Sequence, residues 1–297
     1  MFVVKYRKVF VTISAILVSL AVASIIVFGL NFGIDFKGGS LLEVEYSGVR
    51  PSQDIVEGSI KSLDIGETLI QPIGDNGYSI KARDITDQEK KEILVALGSD
   101  ATETSFTSIG PSVGAELVRK SIISFILVLI GIIFWIAFSF RKVSKPVSSW
   151  KYGLIAIVAL VHDVTISAGA FAFIGFLTGV EVDTLFVVAI LTVLGLSVSD
   201  TIVVFDRVRE NLRIGRSKIF EETVGESLNQ VYTRSLITSV TVIAVLLCLV
   251  FLGPSSTRIF AIVLTIGMFF GTYSSIFLAS PLLVIVNNIQ NKKKKTR

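Results

Sequence analysis

Two aspartates sit inside long apolar runs of this 297-residue chain: Asp163, directly after His162 in the run 153–176, and Asp200 in the run 184–205. A carboxylate among hydrocarbon costs roughly 2.5–3.5 kcal/mol on insertion scales, so it faces other protein or a water-filled cavity, and proton relays are its usual use. Ser197, Asp200 and Arg207 share one helical face by spacing, and Arg234, Thr238 and Thr241 form a similar stripe ahead of and within the run 236–253. Asp200 and Arg234 are each about five residues inside a polar boundary, roughly 8 Å deep at 1.5 Å per residue. Antiparallel neighbours would set them at one depth, so an ionised Asp200 is expected to pair with Arg234. The alternatives are an arginine snorkelling to the interface and a protonated Asp200 hydrogen-bonded to a neighbouring helix.

Other chemistries fit less well. His162 and Asp163 could supply two parts of a hydrolase triad. Helical neighbours are about 100° apart, however, so the two are not expected to stack, and no serine lies in a nucleophile turn. The chain is therefore not expected to be an enzyme. With one His and one Cys it offers no zinc module, disulfide scaffold or other cofactor site, and Cys248 reads as an apolar filler. Gly33-Ile34-Asp35-Phe36-Lys37-Gly38-Gly39 reads as a turn at positive φ. It is not a phosphate loop, since no strand precedes it and no helix start is expected after it.

The elements that must position these groups are membrane helices. Apolar residues make up 52% of the chain and charged ones 18%, with a mean hydropathy of +0.74; ordinary soluble domains carry about 25% charge. Six runs are long enough to span a hydrocarbon core: 9–30, 121–140, 153–176, 184–205, 236–253 and 259–286. The fifth can be extended through 229–235, and the sixth has room to tilt or to include a turn. The first is read as a retained helix rather than a cleaved leader, because its apolar run is too long and no small-x-small site follows. Lys and Arg concentrate at the N-terminus, in 141–152, in 206–235 and after Gln290, which places both termini in the cytoplasm and residues 31–120 outside. Residues 215–230 are expected to form an amphipathic surface helix leading into the fifth span, and 287–297 a basic cytoplasmic tail anchored on anionic lipid. The basic balance thus records topology and gives no reason to expect nucleic acid.

The segment 31–120 is polar enough to fold in water. Residues 41–46, 68–73, 78–82 and 101–109 read as strands, with a turn at 74–77. Ser52–Leu63 reads as a helix, and Thr86 with Glu89 forms a capping box opening a second. The order β-α-β-β-α-β is ferredoxin-like. The fold class is therefore a polytopic helical membrane protein, with a five-helix membrane domain at 121–286 and an α+β extracytoplasmic domain between its first two helices.

Five segments stand out: GIDFKGG (33–39), GPSVGAEL (110–117), VHD (161–163), SVSDTIVVFDRVREN (197–211) and NQVYTRSLITS (229–239). With the six spans and the one large outer segment, they resemble the SecF family, the partner of SecD in bacterial protein export and a branch of the resistance-nodulation-division superfamily. The resemblance implies an accessory of the Sec translocon in the bacterial inner membrane, using the proton-motive force to move preproteins. Its implied partners are a SecD-type subunit, the SecYEG channel and YajC. It implies a proton path through Asp200 and Arg234, with Asp163 in the family's HD element, and motif positions Gly33, Asp35, Phe36, Gly38, Gly39, Asp206 and Arg207. Leu196, Ser199 and Thr233 depart from the family's usual Tyr, Asn and Ser. Two other classes stay open: a half-transporter of lipid or small solutes, and a scaffold that transports nothing.

Overall fold

In the computed structural model, residues 2–139, 148–215, 217 and 219–295 are described. Arg141, Lys142, Lys145, Arg216, Lys218 and Arg297, part of the basic asymmetry, lie outside them, as do the side chains of Lys292–Lys295. In chain order the elements begin with α1 (Phe2–Lys5), α2 (Arg7–Phe28), α3 (Ile34–Lys37), β1 (Gly39–Tyr46) and α4 (Gln53–Ile60). There follow β2 (Leu69–Ile73), β3 (Gly77–Ala82), α5 (Asp87–Leu97), β4 (Ala101–Ile109) and α6 (Pro111–Ser139). The remainder is α7 (Ser149–Thr178), α8 (Thr184–Ile214), α9 (Phe220–Leu252), α10 (Ser255–Ser274), a π turn (Ser275–Ala279) and α11 (Ser280–Lys295). Contacts divide the chain into two units, Phe32–Ile122 and Met1–Asn31 with Ile123–Arg297.

Within the second of these, together with α6, six described helices are long and apolar enough to cross a membrane. Their ends correct the sequence reading. The second begins at Pro111, ten residues before the apolar run, with proline at the first helical position, where its missing N–H costs nothing. The fourth runs on to Ile214 and stops only at Gly215, whose φ of +69° suits a glycine C-cap. The amphipathic helix expected over 215–230 starts at Phe220 and leads without a break into the fifth span as α9. The last span contains the π turn, and its helix continues through Lys295. Leaving an apolar layer does not end a helix; a cap or a breaker does.

Small residues set the spacing between these helices. A Cβ on Gly169 would lie 2.6 Å from Ala21 Cα, so α2 and α7 touch backbone to backbone, and Ser24 Oγ donates to Gly169 O at 2.8 Å. A Cβ on Gly271 would lie 3.0 Å from Ser197 Cβ, and one on Gly267 only 2.1 Å from Val193 Cγ2, so α10 is drawn against α8. Such approaches are how helices associate where no hydrophobic force separates them from lipid. Tyr152 and Phe205, both fully buried, meet edge-on at 5.3 Å and close one end of the bundle with Val208, Val224 and Leu283.

The unit Phe32–Ile122 holds a four-stranded antiparallel sheet in the order β2-β3-β1-β4, with a bulge in β1 between Glu43 and Val44. Leu42, Val44 and Ile80 are buried with Val56, Ile60 and Ile93 from α4 and α5. Thr86 and Glu89 cap α5 reciprocally, as their spacing predicts. The Gly-rich segment is a turn with one feature the sequence reading excluded, the four-residue helix α3 between Gly33 and Gly38. Gly38 (φ +78°) and Gly39 (φ +128°) then redirect the chain into β1, where a Cβ on Gly39 would lie 2.8 Å from Ala82 O.

Candidate functional site

Asp163 on α7 has no exposed surface. Three groups reach its carboxylate. His162 Nδ1 lies 2.8 Å from Oδ1, while Ser197 Oγ of α8 and Ser274 Oγ of α10 donate to Oδ2 at 2.5 and 2.7 Å. His162 and Asp163 therefore meet, which corrects the expectation from their 100° separation: the imidazole turns its edge to the carboxylate and its face to Tyr273, 6.1 Å away. With Nδ1–H donated to Asp163, Nε2 is left as a buried acceptor without a hydrogen-bond partner among the described residues. This is not a hydrolase arrangement, because Ser197 donates to the carboxylate, whereas activating a serine requires the imidazole as its acceptor.

Asp200, half-buried one turn further along α8, is held more loosely. Ser239 Oγ of α9 and Thr272 Oγ1 of α10 both approach its Oδ2 at 3.4 Å, beyond the usual 2.5–3.0 Å of an O–H···O bond. The short bonds at Asp163 knit α7, α8 and α10 together, while Asp200 has only long contacts to α9 and α10 among the described residues.

The expected Asp200–Arg234 ion pair is absent among the described residues. Asp200 lies level with Ser239, five residues beyond Arg234 on α9 and so about 7.5 Å further along the axis. Arg234, Thr238 and Thr241 are all exposed on the outer side of this chain, whereas Ser235 and Ser239 are the residues turned inward. Nor do Ser197, Asp200 and Arg207 act as one stripe. Ser197 belongs to Asp163, and Arg207 joins a clasp in which its Nε donates to Gln230 Oε1 at 2.5 Å. Fully buried Asn211 completes the clasp, donating to Ser227 Oγ (2.8 Å) and Gln230 Oε1 (2.9 Å), and Asp206 pairs with Arg209 on its own helix. Asn211, Gln230 and Ser239 lie within the resembling runs without being singled out by their spacing, and Ser227, Thr272 and Ser274 lie outside those runs. The one sequence signal for the last two is the polar run Thr272-Tyr273-Ser274-Ser275 inside an apolar span.

The geometry has counterparts among known proteins. The family model described as "Protein export membrane protein SecD/SecF, C-terminal" matches residues 89–289, and the "SecD/SecF GG Motif" matches 23–48. The protein translocase subunit SecF of Thermobaculum terrenum is 39% identical over 96% of this chain and 94% of its own length. That of Anaerolinea thermophila is 36% identical over 94% of this chain and 92% of its own. A translocase subunit SecDF from Brucella abortus is 33% identical over 94% of this chain, which spans 36% of it. The crystal structure of SecDF from Thermus thermophilus, a translocon-associated membrane protein, superposes with a TM-score of 0.83 at 29% identity, covering 96% of this chain and 38% of that one. The motif runs around Asp163 and Asp200, the glycine turn and the six spans all fall within these matches, and the chain belongs to the SecD/SecF family of protein-export membrane proteins, on its SecF side.

Proposed function

We propose that this chain is an accessory, non-catalytic subunit of the Sec translocon that couples the proton-motive force to preprotein export. It acts in the bacterial inner membrane with a SecD-type partner, beside the SecYEG channel and YajC. The observation that carries this reading is Asp200: a carboxylate in an apolar helix, held among the described residues by two long hydroxyl contacts from two other helices. Such a group can take and give up a proton and change its hydrogen bonds as it does so. Moving one charge through 100 mV is worth about 2.3 kcal/mol, enough to bias a two-state element with a gap of a few kcal/mol.

Asp163 and Arg234 complete the proposed proton path. Arg234 faces outward, and an arginine turned to hydrocarbon costs about as much as the buried carboxylate. This supports a partner subunit covering that face, in keeping with relatives in which SecD and SecF are one chain. The βαββαβ order with strands in the sequence β2-β3-β1-β4 supports a ferredoxin-like reading of residues 31–120. The basic bias of the other loops supports placing that segment outside, with 1–30, the membrane domain 121–286 and the tail 287–297 anchored from the cytoplasm.

The test is preprotein export into inverted membrane vesicles carrying wild-type chain or the Asp200→Asn variant at equal abundance. The expected result is loss of the export increment that a proton-motive force adds, with Asp200→Glu retaining part of it. An undiminished increment in Asp200→Asn would overturn the reading.

A further inference from the structure

We propose that Thr272 and Ser274 are positioning residues that couple the two carboxylates, Asp200 and Asp163, through the end of α10 and the π turn that follows it. The proposal deepens the proton-path reading and rests on it for its purpose, though not for its readout.

α10 packs against α7, α8 and α9. Thr272 and Ser274, two positions apart, project about 200° apart around it. One therefore reaches Asp200 at 3.4 Å and the other Asp163 at 2.7 Å. Each hydroxyl has a second acceptor in the helix backbone: Met268 O at 3.0 Å for Thr272 and Gly271 O at 3.0 Å for Ser274. Ser239 is built the same way, with Ser235 O at 2.8 Å as its alternative to Asp200. A hydroxyl has a single proton to donate, so Ser239 and Ser274 must each choose between carboxylate and backbone, and Thr272 among Asp200, Met268 O and Ser239 Oγ, the last at 2.6 Å. Ionised carboxylates draw the hydroxyl protons toward themselves. Protonated ones become donors and send them back to the carbonyls.

The choices are linked. Gly271 O, the carbonyl to which Ser274 returns, also accepts from Ser275 Oγ at 3.0 Å, and Ser275 Oγ lies 2.8 Å from Thr201 Oγ1, on the residue after Asp200. A proton arriving at Asp163 thus commits Ser274 to a carbonyl that already accepts from Ser275, which weakens the Ser275 bond to Gly271 in favour of Thr201, beside Asp200. The π turn starts at Ser275, and Ser280 Oγ donates to Ser275 O at 3.1 Å across it. One extra residue per turn makes this the point where α10 and α11 can change register, and π turns inside helices recur at functional sites. Among the described residues the titratable groups around the pair are few. His162 faces Asp163, with Tyr273 behind it; on the Asp200 side α9 brings exposed Arg234, one and a half turns from Ser239.

The experiment is a pH titration of the carboxyl stretching bands by infrared difference spectroscopy, on the full chain with its SecD-type partner in liposomes. Asp163→Asn and Asp200→Asn assign the two bands. The midpoint of the Asp200 band is expected to move by on the order of one pH unit when Asp163 is replaced by Asn, and by much less when the same replacement is made in a Ser274→Ala background. Thr272→Val should also uncouple the bands, and Thr272→Ser should restore them, so the test stands if one variant folds poorly. An equal shift in both backgrounds, or none in the parent, overturns the coupling. Failure of the proton-path reading would show separately, as export indifferent to Asp200→Asn.

Discussion

Replacing Gly267 with alanine tests whether the close approach of α10 to α8 holds the site together. The new Cβ would lie 2.1 Å from Val193 Cγ2 and 2.8 Å from Cγ1, against an optimal carbon separation of about 3.5–4.0 Å. Valine has little χ1 freedom in a helix, so the helices must part by about 1.5 Å. Added to the 2.8 Å between Thr201 Oγ1 and Ser275 Oγ, that takes the hydroxyl pair to about 4.3 Å, beyond hydrogen-bond reach. Overpacking of this kind costs about 1–3 kcal/mol, and the lost hydrogen bond about 1 kcal/mol more. The assay is the denaturation midpoint of the purified chain for Gly267→Ala, Val193→Ala and the double variant. Val193→Ala removes both clashing methyls, so the double variant should be more stable than the summed single costs predict, by at least about 1 kcal/mol. Additive costs, or a Gly267→Ala protein as stable as the parent, would refute the packing argument.

Three other outcomes follow from particular residues. The Arg83 guanidinium, followed by the Thr86 backbone N–H, holds the Glu89 carboxyl down at about 2 from its ordinary 4.5. Its contribution to stability is therefore complete above pH 4.5 and lost as the pH falls toward 2; hydrogen exchange of the β3 amides should show this, and Glu89→Gln should flatten the dependence across that window. Gly39→Ala places a Cβ against Ala82 O at a φ of +128°, and should lower protection across β1 and β3 by about 1–3 kcal/mol in the same exchange measurement. Asn211→Ala removes both amide bonds of the α8–α9 clasp from a fully buried position, and should lower the denaturation midpoint by the equivalent of about 1–3 kcal/mol.

What was legible in the sequence is what depends on composition along the chain. The apolar runs locate six spans because transfer to hydrocarbon is a local, additive cost, and the Thr86–Glu89 box is visible because both partners sit within one turn. The strand β4 at Ala101–Ile109 falls where its β-rich run places it. Hydropathy says nothing about where a helix stops in water, which is why α8 and α9 continue past their apolar runs to Gly215 and back to Phe220. It also does not choose an inner face. Arg234, Thr238 and Thr241 form as good a stripe on paper as Ser235 and Ser239, and only packing on α8 and α10 separates them. The polar run Thr272–Ser275 is visible, but its purpose is not: bonding back to carbonyls one turn earlier lets such hydroxyls sit in an apolar helix at little cost, so their presence does not say that Thr272 and Ser274 reach the carboxylates.

If Asp200 carries protons, proton movement through the purified complex depends on its carboxyl. Liposomes containing the full chain and its SecD-type partner, loaded with a pH-sensitive dye, would be given an imposed pH gradient. Proton entry above that of protein-free liposomes is expected for the wild-type chain, none above it for Asp200→Asn, and partial recovery for Asp200→Glu. Equal entry through the wild-type and Asp200→Asn proteins would contradict it.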